Sequence, residues 1–167
     1  MSIQLEEVLK NQKGQINGEV GNDIHEENIT QLVGFIVGDE EYAIPILNIQ
    51  EIIKPIEYTR VPSTPEYVLG AFNLRGNVIP LIDLRKKFHL ASRNQNNETR
   101  YIVMKEGENI AGFVIDKLTE AIRLKESQIE PAPETISREK GMISGIGKRA
   151  DSILTILKVD MLLKRDF

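Results

Sequence analysis

Residues 70–85 read GAFNLRGNVIPLIDLR, two short apolar runs separated by a polar pair. The runs, Ala71–Arg75 and Val78–Ile82, have the length of strands, and Gly76–Asn77 between them is typical of a tight two-residue turn with positive φ. Gly70 and Gly76 are therefore expected to serve the backbone of this hairpin. Asp83 follows it directly and precedes a short amphipathic stretch, where its carboxylate can cap a helix.

The rest of the chain from Gln31 onward repeats this style of short β-branched runs punctuated by Gly, Pro and Asn. The clearest runs are Leu32–Val37, Tyr42–Leu47, Tyr101–Met104, Ile110–Ile115 and Ser152–Leu157. The first two flank one turn and the next two flank another, so two further hairpins are predicted. Many short strands with closely spaced turns favour small barrels or a sandwich.

The two halves of the chain resemble each other. A shift of 69 positions places Ile49 on Leu118 and Glu51 on Glu120. Further along the chain, and outside this shift, Asp83 corresponds in type to Asp160, which also precedes a short amphipathic stretch and is predicted to cap a helix. The shared order of hairpins, proline-rich turn and Asp-led helix favours a duplicated module.

The predicted strands are apolar on both faces. In the run from Tyr42 to Leu47, both sets of alternating side chains are mostly apolar. A small barrel buries only one face, so the other must be covered by the sister barrel or by another protein. Pro45 and Pro80 inside strands indicate edge strands or bulges, because proline cannot donate to a ladder on both sides.

Composition places the chain among soluble globular proteins. It has 167 residues, of which 41% are hydrophobic and 28% are charged, and it has no cysteine. Disulfide scaffolds and thiolate metal sites are excluded, and neither a signal peptide nor a membrane span is apparent. Residues 1–30 hold two lysines and six acidic side chains, which equals the whole formal charge of −4. The neutral body argues against a nucleic-acid partner, and the polar, Gly- and Asn-rich segment 1–30 is predicted to be a disordered tail.

Catalytic chemistry finds little support in the sequence. His25 and His89 lie outside any metal-ligand spacing, so we predict no metal, no cofactor and no catalytic residue. Three features exceed what packing needs, although each has an ordinary interpretation. Arg75 is either an interface arginine or an exposed residue of the turn. Glu51 is either a contact residue or a residue on the solvent-exposed face of a strand. The segment Glu130–Glu134 is at least a rigid turn that leads into a helix.

Four ordered segments together resemble the CheW-like family of bacterial chemotaxis coupling proteins. They are residues 70–85, Gly38–Ile44, Ile49–Ile52 and Ile129–Glu134, and the resemblance covers residues 31–164. It implies an all-β fold with short helices, in which two SH3-like, five-stranded barrels are related by a pseudo-twofold axis. We expect subdomains at about 31–95 and 96–167.

The resemblance also implies a function without catalysis. Family members link the cytoplasmic hairpin tip of chemoreceptors to the regulatory domain of the histidine kinase CheA, and they join with other CheW-like domains into rings. The expected location is cytoplasmic, at membrane-associated receptor arrays and without membrane insertion. Such an adaptor supports kinase activation and array assembly.

Site residues follow by position from the resemblance. The receptor surface is expected to contain Ile44, Ile46, Ile49, Glu51, Asn73 and Arg75, with Asn73 and Gly76 shaping the Arg75 hairpin. The kinase surface is expected to contain Gly112, Leu118, Glu120 and Ala121. An apolar groove between the barrels would accept the receptor.

Four alternatives remain open on the sequence. A CheV-like coupling domain would look similar but is normally followed by a receiver domain, and the chain reaches its last residue, Phe167, soon after the final predicted helix. A piece of the kinase's own regulatory domain is disfavoured by the Met start and self-contained length. From other classes, a β-barrel nucleic-acid binder conflicts with the neutral body, and an enzyme conflicts with the lack of a catalytic constellation.

Overall fold

The computed structural model describes residues 28–132 and 141–164, which form eleven strands and two short helices. The strands are β1 (Ile29–Val37), β2 (Glu40–Pro45), β3 (Ile49–Ile53), β4 (Val68–Leu74), β5 (Asn77–Asp83), β6 (Arg100–Glu106), β7 (Asn109–Ile115), β8 (Lys117–Lys125), β9 (Ile129–Glu130), β10 (Ile143–Arg149) and β11 (Ser152–Leu157). Helix α1 is Leu84–Lys87 and helix α2 is Val159–Leu162, while 3-10 turns span Ile46–Asn48 and Glu126–Gln128. Most of the predicted tail lies outside the described residues, but Ile29 and Thr30 already belong to β1.

The strands form two sheets with the same internal order. Sheet one runs β8-β1-β2-β11-β10-β9, and sheet two runs β3-β6-β7-β5-β4. In the order in which they lie in sheet one, β8, β1, β2, β11 and β10 correspond to β3, β6, β7, β5 and β4. This is the order of the strands in sheet two. Each sheet also has one parallel pair, β2 with β11 and β5 with β7. This correspondence supports the predicted duplication, and sheet one adds a sixth strand of two residues.

The two repeats exchange their first hairpins. Strands β1 and β2, from the first half of the chain, lie in sheet one with β8 to β11, whereas β6 and β7 lie in sheet two with β3 to β5. The predicted boundary near residue 95 therefore does not separate the sheets. A sequence repeat marks what was duplicated, but strand pairing marks which segments pack together.

Alternating side chains of the strands enter different cores, as the two-faced pattern required. In β1, Leu32 faces a cluster within sheet one, and its neighbour Val33 faces a central core built from both sheets. A third cluster, around Phe72 and Tyr101, lies within sheet two. The apolar outer faces are thus covered mainly by the sister sheet, which was one of the two predicted solutions.

The two strand prolines do not mark edge strands. Both β2 and β5 lie inside their sheets, with neighbours on each side. Pro80 pairs with Ala71 of β4, but the pairing of β5 with β7 begins only at Leu81. Pro45 likewise falls outside the short parallel ladder between β2 and β11. An interior strand tolerates proline where its ladder on one side has not begun or has ended.

Gly70 permits the backbone of the β3–β4 loop to approach the β4–β5 hairpin closely. Thr59, in the loop between β3 and β4, exchanges two backbone hydrogen bonds of 2.8 Å with Ala71. A Cβ atom on Gly70 would overlap the carbonyl oxygen of Thr59. The predicted backbone role of Gly70 therefore has a steric cause.

The two aspartates predicted as helix caps differ. Asp83 is the N-cap of α1, and its Oδ1 accepts a hydrogen bond of 2.9 Å from the Arg85 backbone N–H. Asp160 lies one residue inside α2, whose N-cap is Lys158 without a side-chain cap bond. The cap prediction is wrong for Asp160, because the second helix begins one residue before its aspartate, whereas α1 begins one residue after Asp83.

The cap at Asp83 predicts a stability difference between two substitutions. Asp83→Ser keeps an oxygen acceptor and Asp83→Ala removes it, so the Ser variant should be more stable by about 1 kcal/mol. Thermal unfolding followed by circular dichroism measures the difference. The same two substitutions at Asp160 are the control, and an equal Ser-over-Ala advantage there would contradict the capping role of Asp83.

Candidate functional site

The tip of the β4–β5 hairpin turns at Arg75 and Gly76. Their φ angles are +52° and +86°, and Leu74 pairs with Asn77 across the turn. Positive φ at both central residues is the type I′ geometry that matches strand twist. The turn therefore lies one residue earlier than the predicted Gly76–Asn77. Asn73 Oδ1 accepts a hydrogen bond of 2.9 Å from the Gly76 N–H, which holds the turn in shape.

Arg75 makes a bidentate ion pair with Glu51. Its Nη1 and Nη2 atoms each lie 2.7 Å from one carboxylate oxygen of Glu51. Glu51 stands on the edge strand β3, at an irregularity of the β3–β6 ladder. The Glu51 side chain is only 14% exposed, whereas that of Arg75 is 73% exposed. The pair joins the edge of sheet two to the hairpin tip and displays the cation.

The structure buries three isoleucines that were predicted to contact a receptor. Ile44, Ile46 and Ile49 are 0%, 2% and 8% exposed, and all three belong to the central core. Ile44 and Ile46 therefore present no surface to a partner, and Ile49 presents very little. The sequence pattern identified an apolar face but could not show that the sister sheet covers it.

Exposed aliphatic side chains lie elsewhere, and the sequence analysis did not select them. Val78 is 74% exposed on β5 beside the Arg75 turn, and Ile153 is 68% exposed at the same place on β11. Leu47, in the turn before β3, is 75% exposed. The exposure of Val78 could have been predicted from Ile79, because neighbouring residues of a strand point to opposite faces and Ile79 is buried.

The four predicted kinase contacts divide into two kinds. Gly112 is buried, and a Cβ atom there would lie 2.7 Å from the Phe72 ring. Leu118 packs partly against the central core. Glu120 and Ala121 are exposed on β8, an edge strand of sheet one. Glu120 and Ala121 thus offer a free surface, Leu118 is partly covered, and Gly112 serves packing.

An ionic cluster lies beside Glu120. Arg149 Nη2 donates to Glu41 Oε1 at 2.7 Å, and Thr119 Oγ1 donates to Glu41 Oε2 at 2.6 Å. Arg149 Nη1 lies 2.9 Å from Glu120 Oε1, an ion-pair distance at which the angles do not form a hydrogen bond. This contact therefore contributes electrostatic attraction without a hydrogen bond. The cluster joins three strands of sheet one, β2, β8 and β10.

A second ionic junction connects the two sheets. Asp116, between β7 and β8, accepts hydrogen bonds from Arg85 Nε and Nη2, of 2.9 Å and 2.6 Å, and from the Gly38 N–H at 2.8 Å. Burial alone would raise the pKa of Asp116, but the hydrogen bonds from Arg85 and Gly38 outweigh it and hold the pKa below its usual value. Burial raises the pKa of Asp83, because it outweighs the backbone hydrogen bonds from Arg85 and Lys86 that favour the charged carboxylate.

The remaining features suggest no catalytic arrangement. A polar cleft of about 310 Å³ lies next to Arg85 and is lined mainly by the loop before β6. Within residues 28–132 and 141–164, no three His, Asp or Glu side chains converge on a possible metal position. No helix in those ranges is long and apolar enough to cross a membrane. His25 and the predicted helix after Pro133 lie outside the described residues.

Comparisons with known proteins agree with this architecture. A model of the CheW-like domain family matches residues 31–167. The chain is 56% identical to the chemotaxis protein CheW of Helicobacter pylori over 167 residues, the full length of both. It is 35% identical to the chemotaxis protein CheW of Klebsiella aerogenes over 133 residues, 79% of this chain and 80% of the relative.

A solved structure is similar in fold. The crystal structure of the scaffolding protein TtCheW from Thermoanaerobacter tengcongensis superposes with a TM-score of 0.78 at 32% identity. The match covers 83% of this chain and 95% of the other. A match over this share of the chain is too extensive to be confined to one sheet.

Proposed function

Because the chain belongs to the CheW-like domain family and is a non-catalytic coupling protein of chemotaxis, we propose that it couples chemoreceptors to the regulatory domain of the histidine kinase CheA. It would do so through two separate surfaces, one on each sheet. The observation that carries the proposal is the displayed Arg75, held at a hairpin tip by Glu51 and flanked by an exposed aliphatic side chain. Such an arrangement suits binding, because Glu51 fixes the Arg75 guanidinium while most of the Arg75 side chain stays exposed.

The receptor surface in this proposal is the end of sheet two. It contains Arg75, Glu51, Asn73 and the neighbouring Val78, while the buried Ile44 and Ile46 are left out of it. An arginine whose guanidinium group is held in place and an exposed aliphatic side chain are both common elements of protein interfaces. An amphipathic receptor hairpin would place its apolar face near Val78 and an acidic group near Arg75. Arg75 would set register and selectivity more than affinity.

The kinase surface in this proposal is the corresponding end of sheet one. It contains the exposed Glu120 and Ala121 of β8 and the half-buried Leu118 of the same strand. The separation of the two surfaces onto two sheets fits an adaptor that holds two partners at once. Joining with other CheW-like domains would extend such contacts into rings, in the cytoplasm at receptor arrays.

A charge reversal at Arg75 tests the receptor surface. Arg75→Glu should reduce binding of a receptor cytoplasmic fragment at least tenfold, since it replaces the displayed cation by an anion beside Glu51. Binding of the kinase regulatory domain should stay unchanged. Isothermal titration calorimetry with each partner measures both effects, and Arg60→Glu, an exposed arginine in the β3–β4 loop, is the control.

A swapped pair separates surface charge from local folding. In Glu51→Arg/Arg75→Glu the ion pair can re-form, but the displayed charge is inverted. We expect receptor binding to remain weak in the swapped protein. Full recovery would mean that the pair only supports the hairpin, and unchanged binding by Arg75→Glu itself would remove this surface from the proposal.

A further inference from the structure

The two proposed docking ends are pseudo-equivalent in the duplicated fold. Glu51 and Glu120 are 69 positions apart and occupy matching edge strands, β3 in sheet two and β8 in sheet one. Each glutamate contacts an arginine at the tip of the matching hairpin, β4–β5 or β10–β11. Each hairpin also displays one aliphatic side chain two residues into its second strand, Val78 or Ile153. The apolar anchors of the two ends are therefore alike.

The charges that the two ends display are opposite. In sheet two the arginine is displayed and the carboxylate is covered, with 73% of Arg75 and 14% of Glu51 exposed. In sheet one the order is reversed, since 29% of Arg149 and 60% of Glu120 are exposed. One end thus presents a cation beside an aliphatic anchor, and the other presents an anion.

The inversion arises from where each arginine stands in its hairpin. Arg75 is the first central residue of its turn, so its side chain approaches Glu51 from outside. Arg149 is the last residue of β10, one position before the turn, and its side chain is drawn toward Glu41 of β2. Gly34 leaves the space for this, because a Cβ atom there would lie 2.9 Å from Glu41 Oε2. Glu41 thereby accepts hydrogen bonds from Arg149 and Thr119. Because Glu41 and Glu120 share the single positive charge of Arg149, the negative charge of Glu120 is not fully compensated.

We infer that this inverted exposure is the feature that directs each partner to its own end. The inference rests on the proposed function and specifies its chemistry. The kinase regulatory domain presents a basic side chain to Glu120 and an apolar side chain to Ile153. The receptor presents an acidic group to Arg75. A partner matched to one end meets a like charge at the other, which disfavours docking in the wrong place.

The test measures binding of the purified full-length chain to the kinase regulatory domain and to a receptor fragment. Glu120→Lys should weaken kinase-domain binding about tenfold at low ionic strength, and the difference should shrink at high salt because exposed charges are screened. Receptor binding should not weaken, because Arg75 is unchanged and the new lysine removes the like charge that disfavours the receptor at the sheet-one end. Glu130→Lys is the matched control, since Glu130 is similarly exposed at 56% and pairs with Lys148 of the same sheet.

Carbodiimide cross-linking of the same complexes adds an independent readout. A Glu120 carboxylate facing a lysine should form an amide with the kinase domain, and this product should be lost in Glu120→Gln. If Glu120→Lys binds the kinase domain within twofold of the natural chain, or if Glu120 cross-links to the receptor fragment instead, the inference is overturned and the coupling function stands. If the natural chain binds neither partner, the proposed function itself fails.

Discussion

Asp116→Ala is expected to lower the free energy of unfolding by roughly 2–4 kcal/mol, because it removes one partner of a largely buried ion pair. The side chains of Arg85 and Asp116 are only 15% and 14% exposed. Without the carboxylate, the Arg85 guanidinium and the Gly38 N–H each lose an acceptor. Chemical denaturation at pH 7, with the m-value checked, measures the change.

The effect should depend on pH with a definite sign. The pKa of Asp116 lies below its ordinary value in the folded protein. Its stabilisation is therefore complete above the unfolded pKa of about 3.9 and is lost as the pH falls toward the lower folded pKa. The stability gap between the natural chain and Asp116→Asn should narrow as the pH is lowered below about 4. The raised pKa of Asp83 acts in the opposite sense, so Asp83 contributes stability at low pH that is lost as the pH rises.

Two comparisons test whether the junction acts as a pair. Arg85→Ala/Asp116→Ala should be more stable than the sum of the single changes predicts, because the second change removes the uncompensated charge. Glu98→Ala, which breaks an exposed pair with Lys117, should cost less than about 1 kcal/mol. Strict additivity of the two single changes would show that Arg85 and Asp116 do not interact in solution.

Gly112→Val is expected to destabilise the protein by about 3 kcal/mol through overpacking. A Cβ atom at Gly112 would lie 2.7 Å and 2.8 Å from two atoms of the Phe72 ring. That ring is 2% exposed and packs against Tyr101 at a centroid distance of 5.8 Å, so it has little room to move. For a chain of this size the melting temperature should fall by about 6–12 °C.

A smaller side chain in place of the Phe72 ring should relieve the clash with a side chain at position 112. Gly112→Ala/Phe72→Leu is expected to be more stable than the two single changes predict, since the new methyl fills part of the space that the ring vacates. Kinase-domain binding by folded Gly112→Ala should equal that of the natural chain. Specific loss of that binding at unchanged stability would return Gly112 to the interface.

Local features of the site were predictable, whereas the neighbours of each residue were not. The Asp83 cap and the hairpin at 70–85 follow from residues adjacent in the chain. The turn was misplaced by one residue, because the sequence offered Gly76 and Asn77 as the natural positive-φ pair and the fold uses Arg75. Ile44 and Ile46 were recognised as apolar, but their partner surface proved to be the sister sheet. Arg149 was missed since its acceptor Glu41 is 108 positions away.

By itself the sequence determined three hairpins, the repeat and the CheW-like family, because short β-branched runs, turn residues and the motif at residues 70–85 are properties of neighbouring residues. Tertiary structure alone decided that the repeats exchange hairpins, that the central core takes the isoleucines, and that Arg75 and Glu120 are displayed while Glu51 and Arg149 are covered. These outcomes depend on which distant strands pair and on how much water each side chain loses. Both are set only when the two sheets close around their shared core.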